Sequence, residues 1–202
     1  MKYHITLSLL VLSFLASCKG GESNMPYVYE SNPNYNWGYV QFYGSYYSEY
    51  HNTNNVLSVS LFTNSLKLND ERSLIGLGQY LFLEDVFVSA SDTLLPSGTY
   101  KVSDSGEPFT FSPGSNYIVD EKVYTLGTTI NYYEEKSTLS TLKMITYGSF
   151  TVSQQNGKYT IVCDFVTNDS SELKGTFTGE LPHYDESLKT GQIQTRIRKH
   201  FH

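Results

Sequence analysis

Cysteine is nearly absent from this chain of 202 residues: Cys18 and Cys163 are the two, beside one tryptophan, three methionines and six prolines. Two thiols cannot build a disulfide framework, so packing must hold the fold. Charge is also scarce, at 17% of residues, which excludes a highly charged disordered chain. Strong helix formers are sparse between the turn residues, and this argues for strands. The apolar run from Ile5 to Phe14 is too short to span a bilayer as a helix. Common catalytic signatures are missing as well: there is no His-Glu-x-x-His, no Gly-x-Ser-x-Gly, no phosphate loop and no Cys-x-x-Cys. These absences point away from an enzyme, and no cofactor or metal is expected.

Aromatic residues fill the space that helix formers leave, with 18 tyrosines and 11 phenylalanines. From Trp37 onward, apolar and polar side chains alternate with a period of two. Strands are expected near 37–48, 56–63, 79–89, 98–103, 108–112, 116–133 with an interruption, 141–153, 158–167 and 172–181. Asn156-Gly157 predicts a two-residue hairpin of the I′ type, because both residues tolerate positive φ. Pro96-Ser97-Gly98, Pro113-Gly114 and Asn168 to Ser171 mark further turns. Such short spacing leaves no room for helical crossovers. The fold expected is all-β: one antiparallel β-sandwich or lipocalin-like barrel, rich in meanders, over residues 37–186. A flexible tether over 18–36 precedes it, and 187–202 forms a basic tail or an edge strand.

All twenty acids lie at or before Glu186, and against nine bases they leave residues 18–186 at a net charge of −11. That balance argues against nucleic acid as a partner. Four bases, Lys189, Arg196, Arg198 and Lys199, follow.

Two constellations could carry chemistry. A regular strand would set Trp37, Tyr39, Gln41, Tyr43 and Tyr47 in one row. Such a row could stack on sugar rings while phenolic hydroxyls fix their orientation. The same aromatics would equally serve as packing against a neighbouring strand. The second constellation is Glu84-Asp85, inside a run that is apolar on both faces. A regular strand there would bring a carboxyl toward the core at a cost of several kcal/mol. A bulge at this pair resolves the conflict; a general acid or ion ligand in a cleft is the functional alternative. Cys163 shares a strand face with Tyr159, Ile161 and Phe165 and is read as a small buried hydrophobe.

At the N-terminus, Lys2, the apolar run and Leu15-Ala16-Ser17-Cys18 resemble the signal peptide and lipobox of bacterial lipoproteins. The resemblance implies a signal peptide over 1–17, lipidation at Cys18 and anchoring in a membrane. The position after the cysteine is Lys19, where the family places aspartate for inner-membrane retention. The outer membrane is therefore implied, on its periplasmic side or at the cell surface. Leu95-Pro96-Ser97-Gly98-Thr99-Tyr100 and the segment Leu173 to Leu181 look like phrases in small all-β outer-membrane lipoproteins of gut-type Gram-negative anaerobes. No activity comes with that resemblance. The leading expectation is a non-catalytic ligand- or glycan-binding or accessory domain, with a glycan, a small apolar ligand or other surface proteins as partners. A structural or adhesion component of a surface assembly is the alternative, and a small hydrolase is a third.

Overall fold

Alternating β-branched and aromatic residues, cut at short intervals by glycine, asparagine and proline turns, favour strands over any other local structure. The computed structural model describes residues 29–71, 73–135 and 141–187. In chain order its strands are β1 (Asn34–Tyr35), β2 (Trp37–Gly44), β3 (Asn55–Phe62), β4 (Leu66–Leu68), β5 (Leu74–Val88), β6 (Gly98–Val102), β7 (Thr110–Phe111), β8 (Ser115–Val119), β9 (Lys122–Leu126), β10 (Thr129–Glu134), β11 (Thr141–Gln155), β12 (Lys158–Thr167), β13 (Glu172–Leu173), β14 (Thr176–Gly179) and β15 (His183–Asp185). The fold is all-β, as the period of two implies.

The main sheet runs β1-β14-β12-β11-β6-β7-β5-β3-β2-β15, and β10 bridges β11 and β5. Its two ends meet. β1 passes into β2 through Asn36, whose N–H donates to the Phe62 carbonyl at 2.8 Å, and β14 leads into β15. The segment β1-β2 therefore lies between β3 on one side and β14-β15 on the other, and the sheet closes into a barrel. Closure runs through parallel pairs, Asn34 and Tyr35 beside Thr176 and Phe177, then His183 to Asp185 beside Val40 to Phe42. The other long pairings are antiparallel. A separate hairpin, β8-β9, stands off the barrel.

Side chains fill the barrel. Val40, Leu57, Leu61, Leu83, Phe111, Phe150, Ile161 and Phe165 are fully buried in one cluster. Tyr100 stacks on Phe150 at 4.7 Å between ring centres, and Phe150 meets Phe111 at 5.2 Å. Cys163 is buried among them, and loss of water pushes its thiol pKa well above the ordinary range. It is the inert hydrophobe that its strand neighbours imply.

The barrel begins before Trp37. The Ser31 carbonyl accepts from the Lys174 N–H at 2.6 Å, and Pro33 accepts from Thr176 at 3.0 Å. The buried Gln79 amide clamps Glu30 by imitating a strand partner: Oε1 accepts the Glu30 N–H at 2.9 Å and Nε2 donates to its carbonyl at 3.1 Å. Residues expected as the last part of a tether thus form the barrel seam. Cys18, the signal segment and, past Ser187, the basic tail lie outside the described residues.

Candidate functional site

The conflict at Glu84-Asp85 is resolved by a bulge. On β3, Leu57 pairs with Val86 and Val59 pairs with Leu83, so Ser58 faces two residues of β5 at once. Asp85 takes φ of 51°, a left-handed conformation that aspartate tolerates better than most residues. The extra residue reverses the alternation. Leu81 and Leu83 before the bulge and Val86 and Val88 after it all enter the barrel core. Tyr80, Phe82 and Glu84 fall on the outer face, and neither carboxyl enters the apolar interior.

Glu84 and Asp85 then diverge. A Glu84 oxygen, Oε2, accepts the Gly127 N–H at 2.6 Å and so fastens the base of the β8-β9 hairpin to the barrel. Asp85 Oδ2 accepts the Tyr47 hydroxyl at 2.6 Å and the Ser112 hydroxyl at 3.5 Å. Gly127 has φ of +83°, and a Cβ there would collide with the Pro113 backbone, so glycine is required where the hairpin rejoins the sheet.

Strand register assembles cross-strand rows on the outer face. Trp37, Phe62, Tyr80 and Asn131 follow one another across β2, β3, β5 and β10. Beside them run Tyr39, Ser60, Phe82 and Thr129. Phe62 is stacked between Trp37 at 4.0 Å and Tyr80 at 5.4 Å. The three rings therefore lie face to face, with interplanar angles of 8° and 22°. Trp37 also donates its indole N–H to the Leu66 carbonyl at 2.7 Å.

Over these rows lies an open cleft of about 420 Å³, within the range of small-molecule sites. Tyr39, Phe62, Tyr80 and Phe82 make its aromatic side, and Ser60, Thr129, Asn131 and Glu84 its polar one. Leu68 and Leu74, partners in the β4-β5 hairpin, form one wall, and Thr125 and Gly127 of the β8-β9 hairpin form another. Burial first, and then the neighbouring Tyr39, raise the Tyr80 phenol above its ordinary pKa, so it stays a hydrogen-bond donor. A second recess of about 230 Å³ shares Tyr39 and Leu68 with the first and adds Gln41, Tyr184 and Glu186.

The expected aromatic row is thus divided. Tyr39 and Gln41 face recesses, and Trp37 packs on Phe62 under β4. Tyr43 is diverted because β2 shifts register between Phe42 and Gly44, with Gly44 at φ of 63°, and Tyr47 lies past the end of β2 in the turn that follows. They pack with Tyr46, Val56 and Phe87 in a second buried cluster instead of lining the cleft. Phe62, Tyr80, Phe82 and Asn131 were not singled out from the sequence; only strand register brings them together, and no local spacing announces it. Compared with the known protein families, the curated proteins and the solved structures, the chain matches none.

Proposed function

We propose that the chain is a non-catalytic, lipid-anchored binding domain outside the cytoplasm, held in the outer membrane through Cys18, and that the cleft beside Tyr39 is its saccharide site. The observation carrying this reading is the cleft itself: aromatic rings and leucines on one side, hydroxyls, an amide and a carboxyl on the other. A sugar ring has the same division between C–H faces and hydroxyls. The divergence of Glu84 and Asp85 supports a non-catalytic role, since two-carboxyl hydrolysis needs both groups facing one substrate. Asp85 turns instead to Tyr47 and Ser112.

The test is glycan-array binding by the chain from residue 19, which keeps every described contact. Binding that Tyr39→Ala removes, with unchanged circular dichroism, is expected. An array without any signal, or one indifferent to Tyr39→Ala, overturns the saccharide site. Mass spectrometry of cell-derived protein tests the anchor separately: acylated Cys18 as the first residue is expected, and a free, unprocessed N-terminus refutes it.

One observation favours the alternative, a component of a surface assembly. Ile118 and Val123, cross-strand partners on β8-β9, are 75% and 63% exposed. Under that reading, crosslinking on intact cells recovers defined protein neighbours, and Ile118→Ser with Val123→Ser abolishes their recovery.

A further inference from the structure

The two recesses adjoin at Tyr39 and Leu68, which line both, and their chemistry restricts what fills them. Resting on the saccharide reading above, we propose that the ligand is a linear oligosaccharide without acidic groups, laid across the strands from β10 to β15.

Length follows from the sheet. The first recess is lined from β10, β5, β3 and β2, and the second from β2 and β15, with Tyr39 and Leu68 common to both. In the closed sheet these strands are neighbours in that order. Four inter-strand steps of about 4.8 Å give a path of about 19 Å, too long for one sugar ring and suited to a short chain. Tyr39 stands at the junction. Its ring meets Tyr184 edge-on at 6.0 Å and 72°, so the two phenols form a corner against which C–H faces can pack. Tyr184 is 47% exposed and available for such contact.

Charge selectivity follows from the lining. Glu84 lies in the first recess and Glu186 in the second, and no lysine, arginine or histidine is among the described lining residues of either. A uronate or sulfated sugar would enter beside carboxyls with no cation among the described lining residues to pair it, which is an unfavourable arrangement for binding. The polar side holds acceptors beside its hydroxyl and amide donors: the Glu84 and Glu186 carboxyls, and the Gln41 amide oxygen that also takes the Ser58 hydroxyl at 3.3 Å. They suit a ligand that donates, through hydroxyls or an ammonium group.

The experiment is calorimetric titration of the full chain in detergent with α- and β-linked hexose oligomers, glucosamine oligomers and uronate oligomers, each series starting from the monosaccharide. In a neutral or amino series, affinity is expected to rise about tenfold or more from monosaccharide to groove-filling oligomer. The matched uronates are expected to bind at least about tenfold more weakly. Glu84→Gln and Glu186→Gln keep an acceptor oxygen at each site and are expected to narrow the gap between neutral and acidic series; circular dichroism confirms that they fold. Uronates that bind as tightly as neutral oligomers, or monosaccharides that bind as tightly as chains, overturn this inference while leaving saccharide binding standing. If no saccharide binds, the saccharide reading falls and takes the inference with it.

Discussion

Adjacent residues of like chemistry can be given unlike work by one backbone irregularity. Glu84 and Asp85 would point to opposite faces of a regular strand, one of them inward. The bulge turns both outward, one to the hairpin base at Gly127 and the other to Tyr47. A hydrogen bond to a buried carboxyl is among the stronger ones in a protein. Tyr47→Phe is therefore expected to lower stability by about 1.5–3 kcal/mol, read from the shift of the urea midpoint at unchanged slope. A loss below a few tenths of a kcal/mol would mean that the Tyr47 hydroxyl does not support the bulge. Cys163 allows a second measurement at this scale. In the chain from residue 19 it is the sole thiol, and its burial in the barrel core means that a thiol reagent reaches it as the barrel opens. Labelling is expected to track urea unfolding, and fast labelling under native conditions would contradict the burial.

Elements were legible in the sequence where local chemistry decides them. Asn156-Gly157 takes positive φ at both residues, 52° and 77°, and joins β11 to β12 as its dipeptide implies. A Cβ on Gly157 would meet nothing within 4 Å, so Gly157→Ala isolates the backbone preference. A loss of about 1–2 kcal/mol is expected from the left-handed conformation alone, measured by chemical denaturation; an unchanged midpoint would show that the turn relaxes into another type. Most strand positions were legible for the same local reasons, as was the burial of Cys163, but the short strands β1, β4 and β15 were not, because two or three residues carry no alternation to read. Neighbours in the sheet were not. The parallel seam joins Asn34 to Thr176 and Val40 to His183, pairings between distant parts of the chain that no hairpin dipeptide signals. The groove depended on such pairings, since Tyr39, Ser60, Phe82 and Thr129 become neighbours only through register. Tyr43 left the expected row because alternation holds only until the first bulge, and Tyr47 because the strand ends at Gly44.

Barrel closure makes the whole molecule depend on a short seam, and one histidine ties that seam to the rest. The His183 ring Nδ1 lies 2.8 Å from the Leu181 carbonyl, and Nε2 accepts the Leu95 N–H at 3.3 Å. Both contacts are satisfied by the neutral ring with its proton on Nδ1; a second proton on Nε2 would face the Leu95 donor. Burial lowers the folded-state pKa of His183, against a smaller opposing effect from the Leu181 carbonyl. The unfolded chain therefore takes up a proton more readily than the barrel. The stability that neutral His183 contributes is present above the unfolded value, about 6.5, and is lost as pH falls through the lower folded value. The melting temperature is accordingly expected to decline as the medium is acidified below about pH 6.5. His183→Gln retains an acceptor for Leu95 but does not titrate, and should flatten that decline while costing some stability at neutral pH. Equal slopes for the two proteins would show that the seam is insensitive to protonation at His183. A flatter slope in the variant would trace the proton sensitivity of closure to one side chain on β15, the strand that also carries Tyr184 of the groove.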